Sequence, residues 1–315
     1  MSMSGSSVEL PIQTDLTPEE KVSSRKLKRQ LRAQDAKTKL SSPWASGIAI
    51  VLAILWTVPT LGLFITSFRP PADIQDSGWW TILGNPSFTT QNYQDAWQGA
   101  GGEGLSSFFL NTFVIVIPGV IIPISLALLA AYAFAWIDFK GRDILFVAVF
   151  ALQIVPIQVT LIPLQTIFVN FGLQSSFWPV WISHTIFGLP LAIFLLHNFM
   201  KEIPASIVEA ARVDGAGHVK IFFRVLLPLL IPAIAAFGIF QFLWVWNDLL
   251  VALVFAPNPN LRPITAAIAD LAGTRGNQWQ LLSAGAFIAI VVPLAVFLGL
   301  QRFFVRGLLA GGVKG

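Results

Sequence analysis

The chain has 315 residues, of which 55% are hydrophobic and only 11% are charged, and its mean hydropathy is +0.71. A soluble domain carries about 25% charged residues, so this composition excludes an ordinary water-soluble protein and predicts one that lies in a lipid bilayer. The net charge of +4 comes without a basic and aromatic patch, which argues against nucleic-acid binding, and the absence of cysteine excludes disulfides and thiolate chemistry.

Six apolar stretches are predicted to cross the membrane as helices. Residues 1–43 are polar and basic, and they are predicted to form a solvated tail or, alternatively, a basic helix on anionic lipid. The membrane domain then occupies 44–303, and a second short tail covers 304–315. The uncharged run 144–200 is too long for one span of about 20 residues, so it is divided at the turn-like cluster 170–176. The predicted spans lie near 44–66, 108–137, 144–168, 177–197, 225–255 and 281–301.

The basic residues are distributed very unevenly over the predicted loops. The two ends of the chain, the 138–143 loop and the segment 201–224 carry all but three of the 20 lysines and arginines. The exceptions are Arg69, Arg262 and Arg275. Because basic residues accumulate on the cytoplasmic side, this pattern predicts that both termini and the 202–232 segment are cytoplasmic.

The segment 202–232 is a polar interruption between two strongly apolar stretches. Pro204 suits a first helical turn, and Gly215 suits a left-handed helix end, so a short helix and a tight turn are predicted before a long helix that starts at His218. Two alanines beside Glu209 form a surface for close approach with one charged anchor, which fits a groove on another protein. An ordinary interfacial amphipathic helix fits the same pattern equally well. The centre of the segment reads Glu209-Ala210-Ala211, then Asp214-Gly215-Ala216, and later Leu227-Pro228.

These strings resemble the EAA loop of ATP-binding-cassette (ABC) importer permeases. The strings HTIFGLP at 184–190, FLWVWNDLL at 242–250 and FVRGLLAGGVKG at 304–315 resemble the carbohydrate-type permeases, in particular the second permease subunit of maltose and α-glucoside systems. The resemblance covers roughly residues 45–315. It implies an all-α membrane protein of the type I ABC importer permease architecture, with six transmembrane helices and both termini cytoplasmic.

The resemblance also implies partners and roles for the EAA loop, at about 202–220. In the family this loop docks in a cleft of a cytoplasmic ATPase, so Glu209 would make a charged contact and Gly215 would form the turn that transmits motion. Alanines 210 and 211 would allow close packing. The implied partners are a second permease subunit (as a heterodimer), an ABC ATPase dimer, and an extracytoplasmic sugar-binding protein that the 67–107 and 256–279 loops would face. The implied substrate is a maltose- or α-glucoside-like oligosaccharide, carried across a bacterial plasma membrane.

The chain offers no chemistry of its own to drive transport. It lacks a G-x-x-x-x-G-K-[ST] string, so ATP and magnesium would be bound by the partner ATPase and no cofactor is expected here. Burying a polar residue in a bilayer costs free energy, so polar residues within the predicted spans are candidates for a translocation path or gate. Each of them is as readily explained as a contact between helices. These candidates are Asn111, Gln158, His184, Gln241, Asn247 and Asp248.

Two other function classes remain open from the residues alone. An ion-coupled secondary transporter would need an ion site or proton relay at membrane depth, for which the chain offers only Asp248 and His184. A membrane-embedded enzyme would need a catalytic constellation, and no recognisable one is present.

Overall fold

The computed structural model describes residues 43–75, 78–99, 104–274 and 278–312, and the secondary structure in these ranges is helical, without strands. The chain forms two compact units, Met1–Gly62 and Leu63–Gly315. The predicted basic tail lies outside the described residues except for Pro43, where the first helix begins. We number the α-helices in chain order: α1 Pro43–Ser67, α2 Pro71–Gln75, α3 Gln91–Gln98, α4 Leu105–Trp136, α5 Arg142–Ala151, α6 Ile157–Asn170, α7 Trp178–Glu202, α8 Ala205–Val213, α9 His218–Ile221, α10 Leu227–Trp246, α11 Leu250–Phe255, α12 Ile264–Thr274 and α13 Trp279–Gly312.

Within the described ranges, five helical stretches are long and apolar enough to cross a membrane. They are α1, α4, α7, the continuous helix 218–246 and the 279–301 part of α13. The sixth predicted span is a bent pair, Arg142–Ile154 followed by Ile157–Asn170, with 100° between its halves. Counted as one crossing, this pair completes the six predicted spans.

The prediction of a single helix over 144–168 is therefore wrong. A 3-10 turn at Leu152–Ile154 ends the first half, and Val155 and Pro156 are extended, with ψ angles of 120° and 129°. Proline lacks an N–H and keeps the residue before it out of the helical region, so the chain turns sharply at this point. The break lies inside a run without charged residues, and hydropathy alone therefore does not reveal it.

The fifth predicted span, 225–255, is wrong at its C-terminal end. The helix begins at His218, as the sequence predicted, passes through a π-helical turn at Phe222–Leu226, and ends at Trp246. Residues 247–249 then interrupt it before the short helix α11. Asp248, which the sequence placed inside a span, lies in this interruption.

Short helices occupy both loops that the sequence left unstructured. The 67–107 loop contains α2, a 3-10 turn at Trp79–Leu83, and α3, while the 256–279 loop contains α12. Side chains of α3 and α12 join a hydrophobic cluster with the first turns of α4 and α13. Buried Asn92 also donates hydrogen bonds to the carbonyls of Ser67 and Arg69, at 2.9 and 2.8 Å. These segments therefore form an ordered layer at one end of the helical bundle.

Candidate functional site

The predicted docking segment folds as a short helix that ends in a tight turn. Gly215 has a φ of +75°, a left-handed conformation that costs little only for glycine. The N–H of Gly215 bonds to the carbonyl of Arg212 at 3.0 Å, and the N–H of Ala216 bonds to the carbonyl of Ala211 at 2.9 Å. These two bonds form a Schellman motif, which satisfies carbonyls that the helix end would leave without partners. The predicted helix and turn are confirmed.

The two faces of α8 differ in burial. Val208 is 1% exposed, and together with Ala216 it joins the hydrophobic cluster formed by α4, α7 and the helix that starts at His218. Ala211 packs against the same cluster, whereas Glu209 and Ala210 are exposed. The helix is thus anchored on an apolar bed and presents a carboxylate beside a small side chain to its surroundings.

Glu209 has no internal partner among the described residues. Arg212 lies three positions further along α8, but the described residues show no ion pair between it and Glu209, and Asp214 also makes none. A carboxylate without an internal partner is available to a cation on another molecule. The role of Glu209 as a charged anchor therefore stays a prediction that this exposure is compatible with.

Asn111 and Gln241, two of the intramembrane candidates, connect segments of the fold. The Asn111 amide donates to the carbonyls of Asn260 and Arg262, at 2.8 and 3.2 Å, and so ties α4 to the loop that precedes α12. The buried Gln241 amide donates to the carbonyl of Gly119, at 3.1 Å. Polar contacts of this kind between helices are common in membrane bundles.

Gln241 fits between α4 and α7 because a glycine faces it. A Cβ built on Gly188 would lie 2.8 Å from the Gln241 Oε1 atom, closer than real Cβ contacts allow. The oxygen itself has no hydrogen-bond partner in the described part of the chain. Gln241 therefore reads as a packed interhelical contact rather than as a residue exposed to a water-filled path.

His184 and Asp248 come together across α7 and the interruption after α10. The His184 Nε2 and Asp248 Oδ2 atoms are 3.6 Å apart, and the two side chains are 1% and 10% exposed. The His184 Nδ1 atom lies 2.9 Å from the Val180 carbonyl, which can only accept, so Nδ1 carries the hydrogen and Nε2 faces the carboxylate. The sequence did not predict this pairing, because the residues are 64 positions apart and 3.6-residue periodicity does not relate them.

Asp248 also organises the backbone around it. Its carboxylate accepts hydrogen bonds from the N–H groups of Val251 and Ala252, at 3.4 and 3.1 Å, at the start of α11. Its carbonyl accepts one from the Thr265 hydroxyl of α12, at 2.7 Å. Asp248 is thus a capping group for a helix start, which favours a role in helix packing.

The remaining two candidates make no side-chain hydrogen bond to His184 or Asp248 among the described residues. Asn247 is exposed and donates to the carbonyl of Leu243, in the last turn of α10, at 2.7 Å. Gln158 is exposed and lines a groove of about 740 Å³ at the bend between α5 and α6, together with Gln153 and side chains of α7. The groove is mostly apolar with a few amides, and it carries no charged side chain.

The described residues contain no group of three or more His, Asp or Glu side chains that could hold a metal ion.

Tyr132, buried near the end of α4, is a residue that sequence reasoning missed. Its hydroxyl lies 2.7 Å from the Nδ1 atom of His218. The only signal for Tyr132 in the sequence is its rarity, since the chain contains two tyrosines.

Residues 123–309 match the family described as "Binding-protein-dependent transport system inner membrane component". The chain is 50% identical over 270 residues to the osmoprotective compounds uptake permease protein GgtD of Synechocystis, covering 84% of this chain and 90% of that protein. It is 48% identical over 236 residues to the alpha-glucoside transport system permease protein AglG of Rhizobium meliloti, covering 73% and 61%. It is 32% identical over 269 residues to the melibiose/raffinose/stachyose import permease protein MelC of Bacillus subtilis, covering 85% and 95%.

The fold is also found in a solved structure. A chain of a bacterial ABC transporter that imports the acidic polysaccharide alginate matches with a TM-score of 0.65 and 22% identity, covering 84% of this chain and 98% of that one. At this level of identity the likeness concerns the fold alone. It agrees with the predicted all-α importer permease architecture.

Proposed function

Since the chain belongs to the family of binding-protein-dependent transport system inner membrane components, and is a multi-pass permease subunit of an ABC importer, we propose that α8 is the helix through which a separate ATPase drives it. The observation that carries this proposal is the exposed Glu209 carboxylate, which has no partner among the described residues, on a helix that Val208 and Ala211 anchor to the bundle. An anchored helix with a free charge and small neighbours suits a groove in a partner protein. Ala210 sits beside Glu209, and Gly215 with Asp214 and Ala216 forms the turn that leads into the next helix.

The distribution of charge supports a cytoplasmic position for α8 and for both termini. Lys201, Arg212, Lys220 and Arg224 surround the α8 segment, whereas the opposite loops carry only the three arginines named above. The positive-inside rule favours the richly basic side as the cytoplasmic one, where ATP is available. ATP and magnesium would then be bound by the partner ATPase, and this subunit would not itself be an enzyme.

The substrate proposed here is an α-glucoside-like oligosaccharide. The support comes from the relatives, since AglG is named for alpha-glucosides and MelC for melibiose, raffinose and stachyose. The groove at the α5–α6 bend offers uncharged amides of Gln153 and Gln158 beside apolar side chains, a chemistry that suits a neutral sugar. A second, related permease subunit would complete the transport path in a heterodimer.

The ordered layer formed by α2, α3 and α12 would face an extracytoplasmic sugar-binding protein. It lies in the loops that the charge distribution places opposite α8. The alternative of an ion-coupled secondary transporter loses its support, because Asp248 and His184 are engaged in capping and packing contacts. Sugar flux driven by an ion gradient, through this chain reconstituted without an ATPase, would contradict the importer proposal.

The substitution Glu209→Arg tests the docking role directly. We expect it to abolish uptake of labelled α-glucosides and co-purification of the ATPase, because a cation replaces the only proposed acidic anchor. The protein should still insert in the membrane, since the exposed position lies outside the apolar spans. Asp143→Arg is the control: it reverses an exposed carboxylate at the start of α5, outside the docking loop, and should leave both measurements close to wild type. Normal uptake and normal co-purification by Glu209→Arg would refute the docking role.

A further inference from the structure

The segment between α7 and the next spanning helix is connected to α4 through Tyr132. This residue lies one turn before the end of α4 and is 6% exposed. Its hydroxyl is 2.7 Å from the Nδ1 atom of His218, the first residue of α9, and 3.5 Å from the His218 carbonyl oxygen. The contact therefore joins α4 to the point where the chain leaves the turn after α8.

The Tyr132 ring contacts the start of the π-helical turn as well. Its centroid lies 5.4 Å from that of Phe222, with the planes at 70°, and 6.0 Å from the His218 ring, with the planes at 78°. One side chain of α4 thus touches both ends of the single turn α9. Single π-helical turns inside α-helices are frequent at functional sites.

Among the described residues, the Tyr132 hydroxyl makes the only side-chain hydrogen bonds between the segment 203–221 and the rest of the protein. The segment also contacts α4 and α7 through the apolar cluster that contains Val208, Ala216 and Phe222, and its first N–H, that of Ile203, bonds to the Met200 carbonyl of α7 at 3.3 Å. Apolar burial is non-directional, so it holds α8 against the bundle without fixing its rotation. A hydrogen bond requires a defined distance and angle, so it does fix the rotation.

We propose that Tyr132 is a positioning residue for energy coupling, which holds His218 so that a displacement of α8 moves the helix 218–246. The proposal rests on the docking role of α8 given above. Without the hydroxyl, α8 slides on its apolar bed when the ATPase closes, and part of the motion is lost at the turn formed by Gly215. Tyr132 does not touch substrate or ATP, so its loss should affect the efficiency of coupling rather than ATP hydrolysis itself.

The test is the ratio of sugar transported to ATP hydrolysed. The complete importer, with its second permease, ATPase and binding protein, is reconstituted in proteoliposomes, and uptake of a labelled α-glucoside and ATP hydrolysis are measured in the same vesicles. Tyr132→Phe removes one oxygen atom and keeps the ring on Phe222. Since one net hydrogen bond biases an equilibrium by a factor of about 2 to 10, we expect sugar per ATP to fall by about that factor. Hydrolysis stimulated by the binding protein should change by less than about two-fold, because ATPase docking does not involve this bond.

Variants of the partner residue provide the rescue. With Tyr132 intact, His218→Leu should lower the ratio of sugar to ATP as Tyr132→Phe does. His218→Asn places an amide oxygen near the position of Nδ1, so it should keep most of the wild-type ratio. The double variant Tyr132→Phe with His218→Leu should be no worse than either single one, because both remove the same bond. Should Tyr132→Phe express poorly, His218→Leu tests the bond independently from the surface.

The chain offers a matched control in its other tyrosine. The Tyr93 hydroxyl is 2.8 Å from the Ser67 hydroxyl, in the layer at the opposite end of the bundle. The bonded Ser67 is fully buried, so this bond lies inside the layer and not on the surface proposed for the sugar-binding protein. Tyr93→Phe removes an equivalent bond remote from α8 and should keep the wild-type ratio of sugar to ATP. A fall in the ratio for Tyr93→Phe equal to that for Tyr132→Phe would overturn the inference.

Two further results would overturn it. One is a wild-type ratio in Tyr132→Phe, and the other is an equal loss of uptake and hydrolysis, which is the signature of a merely structural role. Glu209→Arg is measured in parallel to separate the two proposals. If it loses the ATPase while Tyr132→Phe keeps the wild-type ratio, only the role of Tyr132 fails. If Glu209→Arg keeps both ATPase and uptake, the docking role of α8 fails and the role of Tyr132 fails with it.

Discussion

The carboxylates Glu209 and Asp248 occupy opposite environments, although the sequence singled out both of them. Glu209 is exposed on α8 and has no hydrogen bond or ion pair with the described residues. Asp248 is nearly buried, accepts two backbone hydrogen bonds at the start of α11, and faces His184. A carboxylate whose partners all lie within the chain stabilises the fold, whereas one without internal partners is available for recognition.

The regions around the two carboxylates differ in the same way. Around Asp248, polar atoms and glycines of several helices interlock, so a change of one atom affects the neighbours. Around Glu209, the helix lies on an apolar bed with its polar face outward. Substitutions in the first region should therefore lower the stability of the protein, and substitutions in the second should lower coupling while the protein stays folded.

The largest stability effect is expected for Asp248→Leu. The two N–H groups of Val251 and Ala252 lose their acceptor, which should lower the free energy of unfolding by about 2–4 kcal/mol. Thermal unfolding of the purified protein in detergent measures this loss of stability. Asp248→Asn keeps an acceptor oxygen and should lose less than half as much. Wild-type stability of Asp248→Leu with a changed preference among sugars would instead place Asp248 in the translocation path.

A smaller loss is expected for Gly188→Ala. The added methyl would lie 2.8 Å from the Gln241 oxygen and must displace that amide from the Gly119 carbonyl, at a cost of about 1–3 kcal/mol. Thermal unfolding in the same detergent compares the stability of Gly188→Ala with that of the wild type and of Asp248→Leu. The control is Gly238→Ala, where the nearest atom to a new Cβ is at an ordinary 3.6 Å and little change is expected. If Gln241→Ala in the Gly188→Ala background brought no recovery, the proposed clash would be refuted.

The smallest loss of stability, with a clear functional effect, is expected for Gly215→Ala. A Cβ there meets no atom within 4 Å, so the only cost is the left-handed φ of +75°, about 1 kcal/mol. The strain falls on the turn after α8, so sugar transported per ATP should fall although the protein stays folded. Gly217→Ala, with an ordinary φ of −74° and equally open space, should keep the wild-type ratio. An equal loss in both variants would mean that backbone strain at Gly215 is not the cause.

Some features of the site followed from the sequence because they depend on neighbours along the chain. Pro204 and Gly215 bracket α8 as predicted, since helix starts and ends are determined by local backbone preferences. The bend at Pro156 was missed, because a proline within a membrane helix produces either a kink or a break, and the packing around it decides which.

The sequence by itself determined that this protein lies in a membrane, that it has six apolar stretches, and that a polar segment with an EAA pattern interrupts them. Hydropathy, charge and turn residues act locally, so they can be interpreted along the chain. Only the tertiary structure decided that Asp248 caps α11 beside His184, that Gln241 lies against Gly188, and that Tyr132 reaches His218. Each of these contacts joins residues more than 50 positions apart or depends on where a helix is interrupted, and packing in three dimensions alone brings them within bonding distance.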